Sequence, residues 1–139
     1  MIYGVNLMAD ECKLSEKEQG HLDDGIAEFN RGCYWHAHEG WEDMWKSLKA
    51  RDVDLRFILG IQGLIQVTAL MFQYERQNPR GIINMWGKLT DKLGTPGSPM
   101  FENIWSVDIP KLLQNVLPFL NDAIREEPTW ELNPNDVLI

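Results

Sequence analysis

Between Phe57 and Phe72 the chain reads FILGIQGLIQVTALMF, which is apolar on nearly every side of a helical wheel. A helix of this kind has to be covered by other elements on all sides, so it becomes the centre of the domain that forms around it. It lies within a longer helical stretch from about Val53 to Gln77. A membrane span is the competing reading, but the apolar run is shorter than about 18 residues and holds Gly60, Gln62, Gly63, Gln66 and Thr68. A buried core helix is expected.

The rest of the chain can supply the cover. With 139 residues, 44% hydrophobic and 24% charged, it has the size and composition of one ordinary globular domain that needs no covalent staples. Ser15 with Glu18 three residues on has capping-box spacing and opens a first helix through Leu22, Ile26 and Phe29, ended by Gly32. A second helix follows at once, with Tyr34, Ala37, Trp41, Met44, Trp45 and Leu48 on one side, and the short connection makes the two antiparallel neighbours. Asn78-Pro79 opens a fourth helix that carries Ile82, Ile83, Trp86, Leu89 and Leu93 before Gly94. Thr95 to Pro99 reads as a turn-rich loop, and Phe101 to Val107 is too short to assign. Asp108 can cap a last helix through Leu112, Leu113, Val116, Leu117, Leu120 and Ile124, which Pro118 should kink.

The expected fold is therefore all-α: a compact antiparallel bundle of about five helices around the apolar third one, forming a single domain over residues 1–139. After Pro128 the helical period disappears, so 126–139 is expected as an extended or loosely packed tail. Gly32, Tyr34 and Ala37 have the spacing of a tetratricopeptide hairpin, but no further copy follows about 34 residues on, so a repeat array is not expected.

Charge and cysteine content narrow the setting. Thirteen basic against 21 acidic residues give a net charge of -8, and the pI is about 4.8. Such a chain repels phosphate backbones and anionic bilayers at long range, so neither nucleic acid nor membrane is the expected partner. A small ligand, a protein partner or self-association as a homo-oligomer stays open. Cys12 and Cys33 are too few for a secreted disulfide framework, and Met1 to Ser15 lacks a basic region followed by an apolar one; a cytoplasmic protein is expected. Cys33 reads as a small buried hydrophobe. Asn78-Pro79-Arg80-Gly81 could hold an anion at a helix start, although a plain capping turn explains it as well.

The second helix carries the unusual chemistry, with Trp35, Trp41 and Trp45 supplying three of the chain's six tryptophans. On the wheel His38 lies about 60° from Trp41 and Glu42 about 40° beyond His38, at the edge of the apolar face. His38 and Glu42, at i and i+4, can touch. His36 and Asp43 point to the opposite side. On the third helix Gln62, Gln66 and Gln73 fall within about 40° of one another, a polar stripe on an apolar cylinder. A buried amide without partners costs on the order of 1–3 kcal/mol, and the His38–Glu42 edge is the obvious place to satisfy it. Two outcomes follow: an internal network that sets helix packing, or a pocket walled by Trp35 and Trp41 whose polar groups orient a ligand. A metal-dependent enzyme using His38 and Glu42 is the sharper alternative. Helical carboxylate metal centres, however, draw Glu and Glu-x-x-His ligands from several helices, whereas this chain has three histidines and its third helix offers amides. No cofactor is required, and no complete set of acid, base and nucleophile is visible.

The stretch Phe29-Asn30-Arg31-Gly32-x-Tyr34-Trp35-x-Ala37-His38-Glu39-x-Trp41-Glu42-x-x-Trp45, with Gln62-Gly63-Leu64-Ile65-Gln66 and Asn78-Pro79-Arg80-Gly81, resembles the domain of unknown function 309 family of bacteria and archaea. Residues 20 to 95 carry the resemblance, and a family-like core extends over about 20–125. It implies a compact, cytoplasmic, all-helical domain and no established activity. It also draws Glu39 and Arg80 into the candidate set of His38, Glu42, Gln62, Gln66, Trp35 and Trp41. The chain departs from the family pattern at His36, where glutamate is common, and at Gln73, where histidine is common; a family site built on that histidine is weakened here. The reading that results is a non-catalytic ligand-binding or protein-interaction module.

Overall fold

Polar caps set the helix ends. The computed structural model describes residues 13–139; Cys12 and most of the Met1–Ser15 segment read above lie outside them. Ser15 and Glu18 form both bonds of a capping box at the head of α1, Glu16–Asn30. After Gly32, at φ +80°, comes α2, Tyr34–Ala50. Asp54 caps α3, Leu55–Glu75, at the Arg56 amide. Asn78 caps α4, Pro79–Leu93, by accepting from the Gly81 amide. Asp108 caps α5, Ile109–Ala123, at the Lys111 amide. Each side-chain oxygen satisfies an amide that the first turn would leave bare.

The fold is an all-α bundle with α3 at its centre. α3 packs against α2 and α4 and also touches α5, and Phe57, Ile61, Leu64, Val67, Leu70, Met71 and Tyr74 are buried. At 21 residues it is long and apolar enough to cross a membrane, but 56% of its most apolar window is buried inside the protein. α1 and α2 run antiparallel, as do α2 and α3. Glu18 near the start of α1 meets Ser47 and Arg51 at the end of α2, whereas Phe29 and Tyr34 meet edge to face at the other end. Trp35 in the first turn of α2 meets Phe72 in the last turn of α3. Two glycines allow close approach: a Cβ on Gly25 would run into the Trp41 ring, and one on Gly63 into Leu93. Large side chains of the next helix fill the space the missing Cβ leaves.

Two expectations are corrected here, for the segment before α5 and for the buried face of α5. The segment between α4 and α5 is two short antiparallel hairpins, β1 Gly94–Thr95 with β2 Ser98–Pro99 and β3 Asn103–Ile104 with β4 Val107–Asp108. Trp105 and Ser106, both at positive φ, turn the second. α5 continues through Pro118 because Pro118 and Gln114, whose carbonyl loses its donor, both lie on the exposed side. Its buried face is also rotated from the expected one: Phe119, Asp122 and Ala123 are buried while Ile124 is exposed.

The tail is not loose. Asp122 accepts from the Thr129 amide at 3.0 Å, the Thr129 hydroxyl at 2.9 Å, the Trp130 amide at 2.9 Å and the Tyr74 hydroxyl at 2.8 Å. The Tyr74 oxygen in turn accepts from the Leu132 amide. Further on, Asn30 exchanges two hydrogen bonds with the Ile139 backbone, and Val137 is buried. A tail whose own regular structure is one short 3-10 turn, Pro134–Asp136, is thus ordered by side chains from α1, α3 and α5 that satisfy its backbone.

Candidate functional site

Helical spacing brings Trp35, His38, Glu39 and Glu42 onto one face of α2 at i, i+3, i+4 and i+7. Trp35 is 58% exposed and its ring lies flat on that of His38, 5.8 Å between centroids and 4° between planes. Phe72 of α3 flanks Trp35 at 6.4 Å, and the Arg76 guanidinium lies 5.5 Å from the Phe72 ring centre. His38 Nδ1 stands 3.6 Å from one Glu42 oxygen, and Lys46 Nζ 3.8 Å from the other. Glu39 is exposed. The face is half-open and aromatic at one end, with carboxylates along its length.

Other expected members sit elsewhere. Trp41 is fully buried against α1, where its indole N–H donates to the Leu22 carbonyl at 3.3 Å and its ring stacks on Phe29; it is core and walls no pocket. Gln73 accepts from the Asn78 side chain at 2.9 Å, which ties the end of α3 to the cap of α4. Arg80 is exposed in the first turn of α4, and no described hydrogen bond or ion pair links it to the α2 face. Gln62 and Gln66 are half-buried. Among the described residues neither bonds to His38 or Glu42, and Gln66 Oε1 is buried without a partner, as is Trp45 Nε1. The expected network is absent because His38 and Glu42 lie at the rim, 29% and 39% exposed, where each is served by its own helix and by solvent. A cavity of about 320 Å³ is lined by Lys17, His21, Asp43 and Ser47, none of them a member of the expected cluster.

The fold gathers three polar groups whose partners the sequence pattern does not bring together. Glu18 is buried, and its oxygens receive the Arg51 guanidinium at 2.7 and 3.0 Å, the Ser47 hydroxyl at 2.6 Å and the Ser15 amide at 2.9 Å. The Arg51 hydrogen bonds hold its carboxyl at about 2, against the opposing effect of burial. Burial pushes the Asp122 carboxyl upward, but its bonds from Thr129, Tyr74 and Trp130 outweigh this and bring it down to about 2. The third group is Glu28, Cys33 and His36, whose ligand atoms all lie within 4.8 Å of one another. Cys33 is half-buried rather than buried, and His36, although exposed, turns Nδ1 toward Glu28 Oε2 at 3.4 Å. Asp122 was detectable as a carboxylate one residue before Ala123 on the apolar side of α5; the other two groups depend on which helices meet.

The family model described as "Domain of unknown function (DUF309)" matches residues 22–85. This stretch belongs to the DUF309 family. The DUF309 match takes in most of α1, all of α2 and α3 and the first half of α4, and with them the α2 face and the Glu28–Cys33–His36 group. Glu18, Asp122 and the docked tail lie outside it. No curated protein and no solved structure matches the chain.

Proposed function

We propose that this DUF309 protein is a non-catalytic interaction module of the cytoplasm and that its α2 face takes a protein segment bearing lysine or arginine. The observation that carries the reading is Trp35, more than half exposed yet held flat against His38, with Glu39 and Glu42 following on the same face. An immobilised indole loses little entropy when it is covered, and aromatic side chains dominate binding energy at interfaces. The carboxylates choose the sign of the partner, because a cation can sit over the indole while Glu39 and Glu42 complement its charge. A metal-dependent enzyme at His38 and Glu42 is not favoured, since among the described residues no third His, Cys, Asp or Glu joins them as a ligand.

The test is an NMR titration with an eight-residue arginine- and lysine-rich peptide and, as control, its glutamate-rich counterpart. Shifts are expected for the basic peptide alone, at the Trp35 indole and the amides of residues 35–46, with affinity about tenfold lower in Trp35→Ala and in the pair Glu39→Gln, Glu42→Gln. Shifts absent from α2, or affinity unchanged in Trp35→Ala, would overturn the proposal. Trp35-dependent self-association in sedimentation, with no response to the peptide, would replace the basic partner with a second copy of the chain.

A further inference from the structure

We propose that Glu28, Cys33 and His36 form a binding site for a single divalent cation of the zinc class, at the corner between α1 and α2 and separate from the α2 face. The corner is a Schellman turn. The Cys33 amide donates to the Glu28 carbonyl at 2.8 Å, the Gly32 amide to the Phe29 carbonyl at 2.9 Å, and Gly32 takes the left-handed conformation at φ +80°. In this motif the residue after the glycine packs against the one five positions before it, usually through apolar side chains. Here those two positions hold a carboxylate and a thiol. His36 stands three residues after Cys33, so the first turn of α2 presents imidazole and sulfur on the same side.

The donor set, one sulfur, one nitrogen and one oxygen, is the mixture that zinc accepts at sites with three protein ligands and an open fourth position. Bonds of about 2.0–2.3 Å place tetrahedral ligands roughly 3.5 Å apart. Ligand atoms already within 4.8 Å reach that spacing by side-chain rotation, with no movement of the hydrogen-bonded turn. Glu28 divides its oxygens: Oε1 pairs with Arg31, and Oε2 faces His36. Arg31 therefore orients the carboxylate while leaving one oxygen for the ion, the support that metal-bound carboxylates commonly have. On binding, Cys33 gives up its thiol proton and coordinates as thiolate.

Full-length protein stripped with a chelator and titrated with Co²⁺ tests the assignment. One equivalent should produce a thiolate-to-cobalt absorption band and the visible bands of tetrahedral cobalt, and Zn²⁺ should displace both. Cys33→Ser should abolish the thiolate band, and His36→Ala and Glu28→Gln should each weaken binding by about tenfold or more. Cys12→Ser and His38→Ala should bind as the wild type does. Circular dichroism identifies any variant that fails to fold; His36 is exposed, so His36→Ala remains informative even if Cys33→Ser does not fold. The proposal is overturned if the wild type gives no thiolate band, if the band survives in folded Cys33→Ser or disappears in Cys12→Ser, or if His36→Ala binds with unchanged affinity.

Discussion

The carboxylates of Glu18 and Asp122 and the carboxylate of Glu42 are the same chemical group in opposite situations. Glu18 and Asp122 are 1% and 6% exposed, and each receives four hydrogen bonds from parts of the chain that are distant or otherwise unstructured. Glu42 is 39% exposed and, among the described residues, pairs with His38 and Lys46, at 3.6 and 3.8 Å and on its own helix. A buried carboxylate is tolerable only when its oxygens are fully served, and then its loss strands every donor around it. One at the rim is served by water and is free to meet a partner. In this protein the two buried acids help to hold the fold, and the binding proposed above rests with the half-exposed α2 face and the α1–α2 corner.

The comparison can be broken most directly at Asp122. Asp122→Ala leaves the Tyr74 hydroxyl and the Thr129 and Trp130 amides without an acceptor, and it should lower the unfolding free energy by about 3–5 kcal/mol in urea melts, with the tail losing amide-exchange protection. A loss below about 1 kcal/mol would mean that the tail is held by apolar contacts such as Val137. The pH dependence gives an intermediate effect. Both buried acids titrate at about 2 in the folded protein and at about 4 when unfolded. The folded state therefore binds fewer protons between these values, so their contribution is complete above about pH 5 and is lost as pH falls toward 2. Glu18→Gln should remove its share of that slope, which denaturant midpoints measured from pH 7 to 2.5 will show. Glu42→Leu should be the mildest change, costing less than about 1 kcal/mol, as is usual for exposed ion pairs. A loss of about 2–4 kcal/mol would mean that the α2–α3 seam depends on this carboxylate after all.

Much of the fold could be read from local pattern. Ser15, Asn78 and Asp108 cap the helices they were expected to cap, and Gly32 and Gly94 end theirs. The central position of α3 followed from its all-round apolar surface. The candidate site was legible only in part: the spacing of Trp35, His38 and Glu42 placed them correctly at the edge of α2. The same wheel could not say that Trp41 packs on α1, because a helix has two apolar neighbours and the pattern does not say which neighbour a given position meets.

Among the described residues, the sequence by itself determined the helices, most of their caps and the periodicity of their faces, because these depend on residues within a turn or two of one another. Only the tertiary structure decided that Glu18 receives Arg51, that Asn30 ties down Ile139 and Asp122 holds Thr129 and Trp130, that among the described residues Gln66 Oε1 meets no donor, and that Cys33 stands beside Glu28 and His36. The Glu18–Arg51 and Asn30–Ile139 contacts join residues far apart in sequence, the Asp122 bonds to Thr129 and Trp130 cross an irregular turn, and the orphaned acceptor depends on where a facing helix ends up, so none of these contacts leaves a periodic signal. The last joins near neighbours, but only once a left-handed glycine has folded the chain back on itself, and its identity as a site depends on side-chain directions across that turn rather than on spacing along it.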